Sequence, residues 1–172
     1  SGYDVYGEEH ARAWQPNVAA PTGTADFTVP FGASVQAAID TAIEAGKPCI
    51  IDVATGFFAG PIVIPPNAPP LVLRGAGMGQ TILTAPIDAQ MTGLEYRTRF
   101  GKQIETYGPI AQAHFAGITA RQTIGTRNAA VLSVARDDVT ITGMTIRNDY
   151  QCDRVIAAPK GAKPDAEGRF AE

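Results

Sequence analysis

Leu71-Val72-Leu73-Arg74-Gly75 and Val139-Thr140-Ile141-Thr142-Gly143 carry one pattern, apolar-x-apolar-x-Gly. Alternate side chains of a strand point to opposite faces, so each segment turns two apolar side chains to one side before a glycine corner. Similar brief runs surround them: Cys49 to Val53, Pro61 to Ile64, Thr81 to Leu83, Ala129 to Val134 and Met144 to Ile146. Gly56 turns the chain after the first, and Pro65, Pro66, Pro69 and Pro70 break it after the second. Short strands recurring at turn-punctuated intervals predict an all-β architecture. Repeated strands with corners are what a solenoid of stacked coils requires. A β-sandwich also uses short strands, but the glycine corners and the scarcity of hairpin dipeptides favour the solenoid.

Upstream of these runs lies one helix, predicted from about Val35 to Ala45. Val35, Ile39 and Ile43 recur on one face, Ser34 is placed to accept from the first free N–H groups, Gly46 ends the helix and Pro48 prevents its return. Asp26 to Pro30 is a candidate short strand before it. Residues 1–25, rich in Gly, Pro and Ala with Trp14 as the one large side chain, read as an extended arm over the domain or a tail. Residues 26–152 hold the coils. Residues 86–128 interrupt the β rhythm and read as a long insertion with helical stretches, and 153–172 compose a solvated loop.

Composition narrows the function classes. The chain has 172 residues, 45% hydrophobic and 18% charged, which suits a folded domain with a sizeable core rather than a disordered segment. Its net charge is −3 and no Lys/Arg run forms a positive stripe, so no nucleic-acid partner is expected. No apolar run approaches the roughly 20 residues of a membrane span. Ser1-Gly2 without Met suggests a processed or recombinant start. Cys49 and Cys152 are the only cysteines, and a disulfide and two buried thiols both fit. With His10 and His114 far apart, they do not form a zinc site, and no metal is expected.

The motifs that suggest chemistry have plainer readings. Gly75-Ala76-Gly77-Met78-Gly79 follows a strand, but a dinucleotide loop needs a helix directly after it, and Thr81-Ile82-Leu83-Thr84 is β-branched. A corner between coils is the better assignment. Ser34 is occupied at the helix start, and Ser133 lies in a strand without a Gly-x-Ser-x-Gly elbow, so no serine triad is expected. Asp137-Asp138 reads as a solvated turn rather than an acid–base pair. Tyr96, Phe100 and Tyr107 either pin the insertion to the body or stack on sugar rings; pinning is the commoner use of such residues.

The order of these pieces resembles that of pectin methylesterases. Asp26-Phe27-Thr28-Val29 leading into Ser34-Val35-Gln36-Ala37-Ala38-Ile39-Asp40 is similar to that family's opening strand and helix. Gly60-Pro61-Ile62-Val63-Ile64-Pro65 and Leu71 to Gly77 resemble its next coils, and Gly125 to Val131 with Val139 to Asn148 the rungs that follow. The resemblance covers residues 24–150, and the long insertion is similar to the bacterial branch, which includes lipoprotein relatives.

What the resemblance implies is a right-handed parallel β-helix with a short N-terminal capping helix. It also implies hydrolysis of galacturonate methyl esters to carboxylate and methanol by an Asp nucleophile, a second Asp as acid and base, oxyanion-binding glutamines and an orienting Arg, without metal or organic cofactor. The Gln-Asp-Thr motif, the Gly-x-x-Asp-Phe nucleophile segment and the later Arg strand belong after the rung ending near Asn148. No catalytic residue is therefore expected in this chain. Only Thr126 is carried over, as a substrate-binding position at the edge of the cleft, with a strand-entry role as its plain alternative. An open last rung implies a second chain carrying the C-terminal coils, a pectin-like polysaccharide as the other partner, and a secreted or periplasmic setting that includes association with an outer membrane. A non-catalytic β-helix module, carbohydrate-binding or structural, is the alternative reading of the same chain.

Overall fold

The computed structural model describes residues 21–150. Of the expected arm at residues 1–25, residues 1–20 with Trp14 lie outside the described residues, as do the loop at 153–172, His10 and Cys152. Cys49 is a free, buried thiol.

Among the described residues, nine strands and three α-helices follow one another in chain order. Strand β1 is Phe27–Val29, helix α1 Val35–Ala45, β2 Cys49–Val53, β3 Gly56–Ala59, β4 Ile62–Ile64, β5 Leu71–Gly75 and β6 Thr81–Ala85. Helices α2, Gly93–Ile104, and α3, Pro109–Thr119, come next, then a short 3-10 turn at Thr126–Asn128, β7 Leu132–Val134, β8 Val139–Thr142 and β9 Thr145–Asn148.

The strands form three sheets, ordered β1-β2-β5-β8, β3-β6-β9 and β4-β7. Every pairing is parallel. The chain visits the sheets in the same sequence on each circuit: β2, β3, β4, then β5, β6 and β7, then β8 and β9. Parallel neighbours separated by one full circuit fit a parallel β-helix, because each coil satisfies the backbone groups of the coil beneath it.

The two segments that share the apolar-x-apolar-x-Gly pattern are direct neighbours in this stack. Leu71 pairs with Val139, Leu73 with Ile141 and Arg74 with Thr142. Their glycine corners also stack: a Cβ on Gly75 would sit 2.3 Å from the Gly143 carbonyl oxygen, and Gly143 itself has φ 65°. A larger residue at either corner would push the coils apart. Inward side chains fill the interior in ladders, Ile51 on Leu73 and Phe58 on Leu83, all buried.

The fold is not all-β, as the short strands alone led us to expect. The insertion folds into α2 and α3, which join α1. The helical residues of the insertion are polar on one side, so their periodicity is diluted among strand-like neighbours. Thr92 opens α2 with a capping box, its hydroxyl accepting from the Glu95 N–H while the Glu95 carboxylate accepts from the Thr92 N–H at 2.7 Å. Strand β3 was also missed. Gly56, read as a turn, has φ 142°, a positive value that L side chains rarely adopt, and it starts that strand.

Helix α1 has the expected bounds and caps. The Ser34 hydroxyl accepts from the Ala37 N–H, and Gly46 is left-handed. Its buried face is Val35, Gln36, Ile39 and Ala42, with Ile43 only half-buried. Gln36 is fully buried because the β4 backbone satisfies it: its amide donates to the Val63 carbonyl at 3.0 Å and accepts from the Val63 N–H at 2.8 Å. Strand β4 therefore has ladder partners on one edge and a side-chain amide clamp on the other.

Candidate functional site

Thr126 begins the 3-10 turn that returns the chain from the insertion to the stack, and it is exposed. Its position is set by a clasp at the base of the insertion. The Ile124 N–H donates to the Met91 carbonyl at 2.9 Å, and the Gly125 N–H to the Ala89 carbonyl at 3.0 Å. Incoming and outgoing chains are thus tied together immediately before Thr126. Gly125 has φ 76°, which lets the chain turn sharply after the clasp. Asn128 secures the turn by donating to the Ile124 carbonyl at 2.7 Å.

Asn148, at the end of β9, grips the other side of this region. Its side-chain amide donates to the Ile87 carbonyl at 2.7 Å and its carbonyl accepts from the Ile87 N–H at 3.1 Å. Such a side-chain bridge replaces the ladder bonds lost where β6 departs into the insertion. Among the sequence candidates, Thr126 alone directly follows the clasp at the base of the insertion.

The insertion aromatics have the pinning role. Tyr96, Phe100 and Tyr107 are buried, which removes the sugar-stacking alternative for them. Tyr96 meets Phe100 edge-on at 4.8 Å between ring centroids, and Tyr107 packs 5.8 Å from Phe115. The Tyr107 hydroxyl donates to the Pro61 carbonyl at 2.9 Å, and burial pushes its pKa up to about 12. Gln103 donates to the Ala59 carbonyl at 3.0 Å, and the Gly108 N–H donates to Asp40 of α1 at 2.6 Å. The insertion is therefore anchored to β3, β4 and α1 rather than hanging free.

A shallow groove of about 450 Å³ lies elsewhere, along the start of β2, β5 and β8, with Ile50, Val72 and Thr140 on its floor and Asp26, Cys49 and Asp138 at its rim. Its chemistry is inert. Burial first, then the nearby Asp26 charge, raises the Cys49 pKa, so the thiol stays protonated and is a poor nucleophile. Asp26 accepts from the Ile50 N–H at 2.8 Å and so fastens β1 to β2. Gly23-Thr24-Ala25-Asp26-Phe27 does spell Gly-x-x-Asp-Phe, far ahead of the place after Asn148 where the resemblance puts that pattern. Asp26 nevertheless precedes the capping helix and serves the backbone, whereas the family's segment follows the later rungs.

Other reactive side chains are similarly committed. Arg74 makes two hydrogen bonds to Asp52, at 2.6 and 3.0 Å, and also donates to the Pro21 and Gly23 carbonyls. His114 packs edge-on to Phe115 at 5.0 Å, where burial lowers its pKa and favours the neutral ring. Asp137 and Asp138 lie in the turn before β8, with Asp138 exposed and 4.0 Å from Arg136. Among the described residues no group of three or more His, Cys, Asp or Glu is placed to hold a metal ion. No Ser or Cys of the described residues hydrogen-bonds to a His, Asp or Glu.

No protein-family model matches the chain. It is 28% identical over 144 residues to a pectinesterase of Sitophilus oryzae, an alignment that spans 81% of this chain and 37% of that protein. It is 28% identical over 170 residues to pectinesterase B of Dickeya dadantii (strain 3937), covering 85% of this chain and 39% of that protein. The structure of the rice weevil pectin methyl esterase superposes with a TM-score of 0.68 at 27% identity, covering 81% of this chain and 39% of that one. The chain thus spans less than two-fifths of the length of the relatives it matches. In sequence and in fold alike, it is a relative of the pectinesterases, similar to them over that part of their length.

Proposed function

We propose that the chain forms the N-terminal, right-handed coils of a pectin methylesterase, an enzyme that hydrolyses galacturonate methyl esters to carboxylate and methanol. The observation that carries this reading is the agreement of sequence and fold with pectinesterases across most of the chain. The catalytic Asp pair lies on the coils that continue this stack, because the polar side chains of the described coils are committed to holding the backbone. In the proposed reaction one Asp carboxylate attacks the ester carbonyl, the second Asp gives its proton to the leaving methoxide, and methanol departs. Water, deprotonated by that second Asp, then cleaves the acyl-enzyme and restores both groups.

Within this scheme Thr126 touches the sugar chain at the cleft edge, since it is exposed and held by the clasp at Met91 and Ala89. No metal or organic cofactor takes part. The second partner besides the polysaccharide is a chain bearing the C-terminal coils. Inner positions of the last rung support that assignment: Val134 and Ile146 are each 44% exposed, although the residues beneath them are buried. The setting is secreted or periplasmic; no helix of the described residues is long and apolar enough to cross a membrane.

Methanol release from methylated pectin by the complete protein tests the activity. Release that vanishes when either Asp of the continuing coils is replaced by Asn supports the reading. Absence of release with the protein folded would overturn it and favour a carbohydrate-binding or structural β-helix. Size-exclusion of this polypeptide alone tests the partner, because a compact monodisperse monomer would contradict a missing set of coils.

A further inference from the structure

The outer face of sheet β1-β2-β5-β8 has two lanes. Ile50, Val72 and Thr140 form one cross-strand row on it, and Asp52, Arg74 and Thr142 the next. The second lane already carries main chain. Arg74 donates to the Pro21 and Gly23 carbonyls, each at 2.8 Å, while Asp52 takes its other nitrogens. Gly23 packs against Ile50 at the border, where an added Cβ would sit 2.5 Å from the Ile50 side chain. The first lane is the groove of about 450 Å³, walled at the strand starts by Pro48, Pro70 and Asp138. Its floor residues are half-buried, two of them apolar and β-branched. Asp26 and Asp138 carry its charge. Asp26 spends one oxygen on the Ile50 N–H, and Asp138 has a side chain 76% exposed with Arg136 4.0 Å away.

This lining selects its occupant. Two carboxylates repel a polymer of uronic acids, and no aromatic ring of the lining offers a platform to a neutral sugar. Extended polypeptide fits, with apolar side chains on the floor and a Lys or Arg turned to a carboxylate at the rim. The adjoining lane shows that this face accepts such a chain, since Pro21 and Gly23 lie across it with their carbonyls held. Neighbouring strands are about 4.8 Å apart, so the floor from β2 to β8 spans about 10 Å, the length of about three extended residues. Because the lining comes from successive coils, the groove runs along the stack axis and reaches β8, the edge strand of the sheet among the described residues. We propose that an extended, apolar and basic segment of the chain bearing the continuing coils folds back into this groove. It straps those coils to these ones across Thr140, Val72 and Ile50. The source of the strap rests on the function proposed above, whereas its chemistry follows from the groove.

Photo-crosslinking within the complete protein tests the strap. Thr140→photo-methionine puts a small diazirine on the groove floor, and mass spectrometry of the digested product names the peptide that it captures. We expect capture of a peptide from the continuing coils. Asp26→Asn combined with Asp138→Asn should lower the yield about threefold, the size of effect that exposed ion pairs give. Raised salt should lower it too, because exposed charges are screened beyond about 10 Å at 0.1 M. Capture of residues 1–20, capture that falls on dilution as contact with a second copy would, or reaction with solvent alone each overturns the proposal. So does a yield that ignores both the carboxylates and salt, since the groove would then not select a basic segment. Capture from the continuing coils in a folded protein that releases no methanol would reject the esterase and retain the strap. Normal methanol release with an empty groove would do the reverse.

Discussion

The second and third coils are built on one template but are buried differently. Leu73 and Leu83 are sealed, 0% and 2% exposed, while their register partners Ile141 and Ile146 on the next rung are half-buried and 44% exposed. The side chains are nearly matched in size and the backbone pairing is the same. The difference lies in what is stacked above, since among the described residues β8 and β9 are the edge strands of their sheets. A β-helix coil buries its interior only when a further coil covers it, so the contribution of each inner residue depends on its neighbour as well as on its type.

The largest expected effect follows from that contrast. Leu73→Ala should destabilise the fold by about 3 kcal/mol, from lost transfer energy together with the cavity left in a closed interior. Ile141→Ala in the same polypeptide should cost about 1 kcal/mol, because its side chain is partly in water already. Urea unfolding of both variants measures the gap. Repeating it on the complete protein sharpens the comparison, since a covering coil should raise the Ile141 cost to that of Leu73. Equal costs in the isolated chain would break the argument that the last rung is unfinished.

A second contrast sets this last described rung against the opposite end, where α1 packs. There Gln36 clamps both the N–H and the carbonyl of Val63, and also donates to Asp40 at 3.0 Å. Gln36→Ala should cost about 2 kcal/mol, because two buried backbone groups lose their partners and neither gains access to water. Chemical denaturation with an unchanged m-value checks it, and a neutral result would mean that water reaches Val63 once the amide is gone. Gln36→Glu keeps the shape but replaces the donor, so it should be as harmful as the truncation at neutral pH.

These two regions also differ in how plainly the sequence announces them. The rungs are legible because Leu71, Leu73, Val139 and Ile141 alternate before glycine corners, and the capping helix because Ser34 and Gly46 bracket an apolar face. The clamp was invisible: a glutamine in a helix reads as a surface residue until its partner across the fold is known. The contact of Arg147 with Phe57 escaped for a similar reason, the two being distant in the chain and brought together by coil register. Thr126 was singled out only through family resemblance, because an exposed threonine after a glycine has no pattern of its own. The Gly-x-x-Asp-Phe letters at Gly23–Phe27 show the opposite hazard, a motif present in the chain but placed where its Asp holds a backbone N–H.

The insertion provides a pH test that the coils do not. His114 on α3 is neutral and lies against Phe115, and burial holds its pKa below the usual 6.5. The unfolded chain therefore takes up a proton before the folded chain does. The stability contributed by the neutral ring is present above pH 6.5 and is lost as pH falls through the lower folded value. Thermal melts across that interval should show a slope that His114→Phe removes. The effect should be smaller than that of Gln36→Ala, because the ring keeps part of its surface in water. A slope unchanged by the substitution would place the titrating group elsewhere.

The smallest effect comes from the best-sealed residue of the insertion. Tyr96 is fully buried between Phe100 and Phe115, and its hydroxyl has no hydrogen-bond partner. Burial accordingly raises its pKa well above the ordinary phenol value. An orphaned hydroxyl in an apolar pocket opposes folding, because water satisfied it in the unfolded chain. Tyr96→Phe should therefore be neutral or stabilising by up to about 1 kcal/mol, the reverse of the sign expected when a buried side chain loses a hydrogen bond. Its direction separates two origins of burial in this molecule. A loss of stability would reveal a partner for the hydroxyl, such as an enclosed water. A gain would establish that apolar packing alone holds α2 and α3 together, as it holds the sealed rungs.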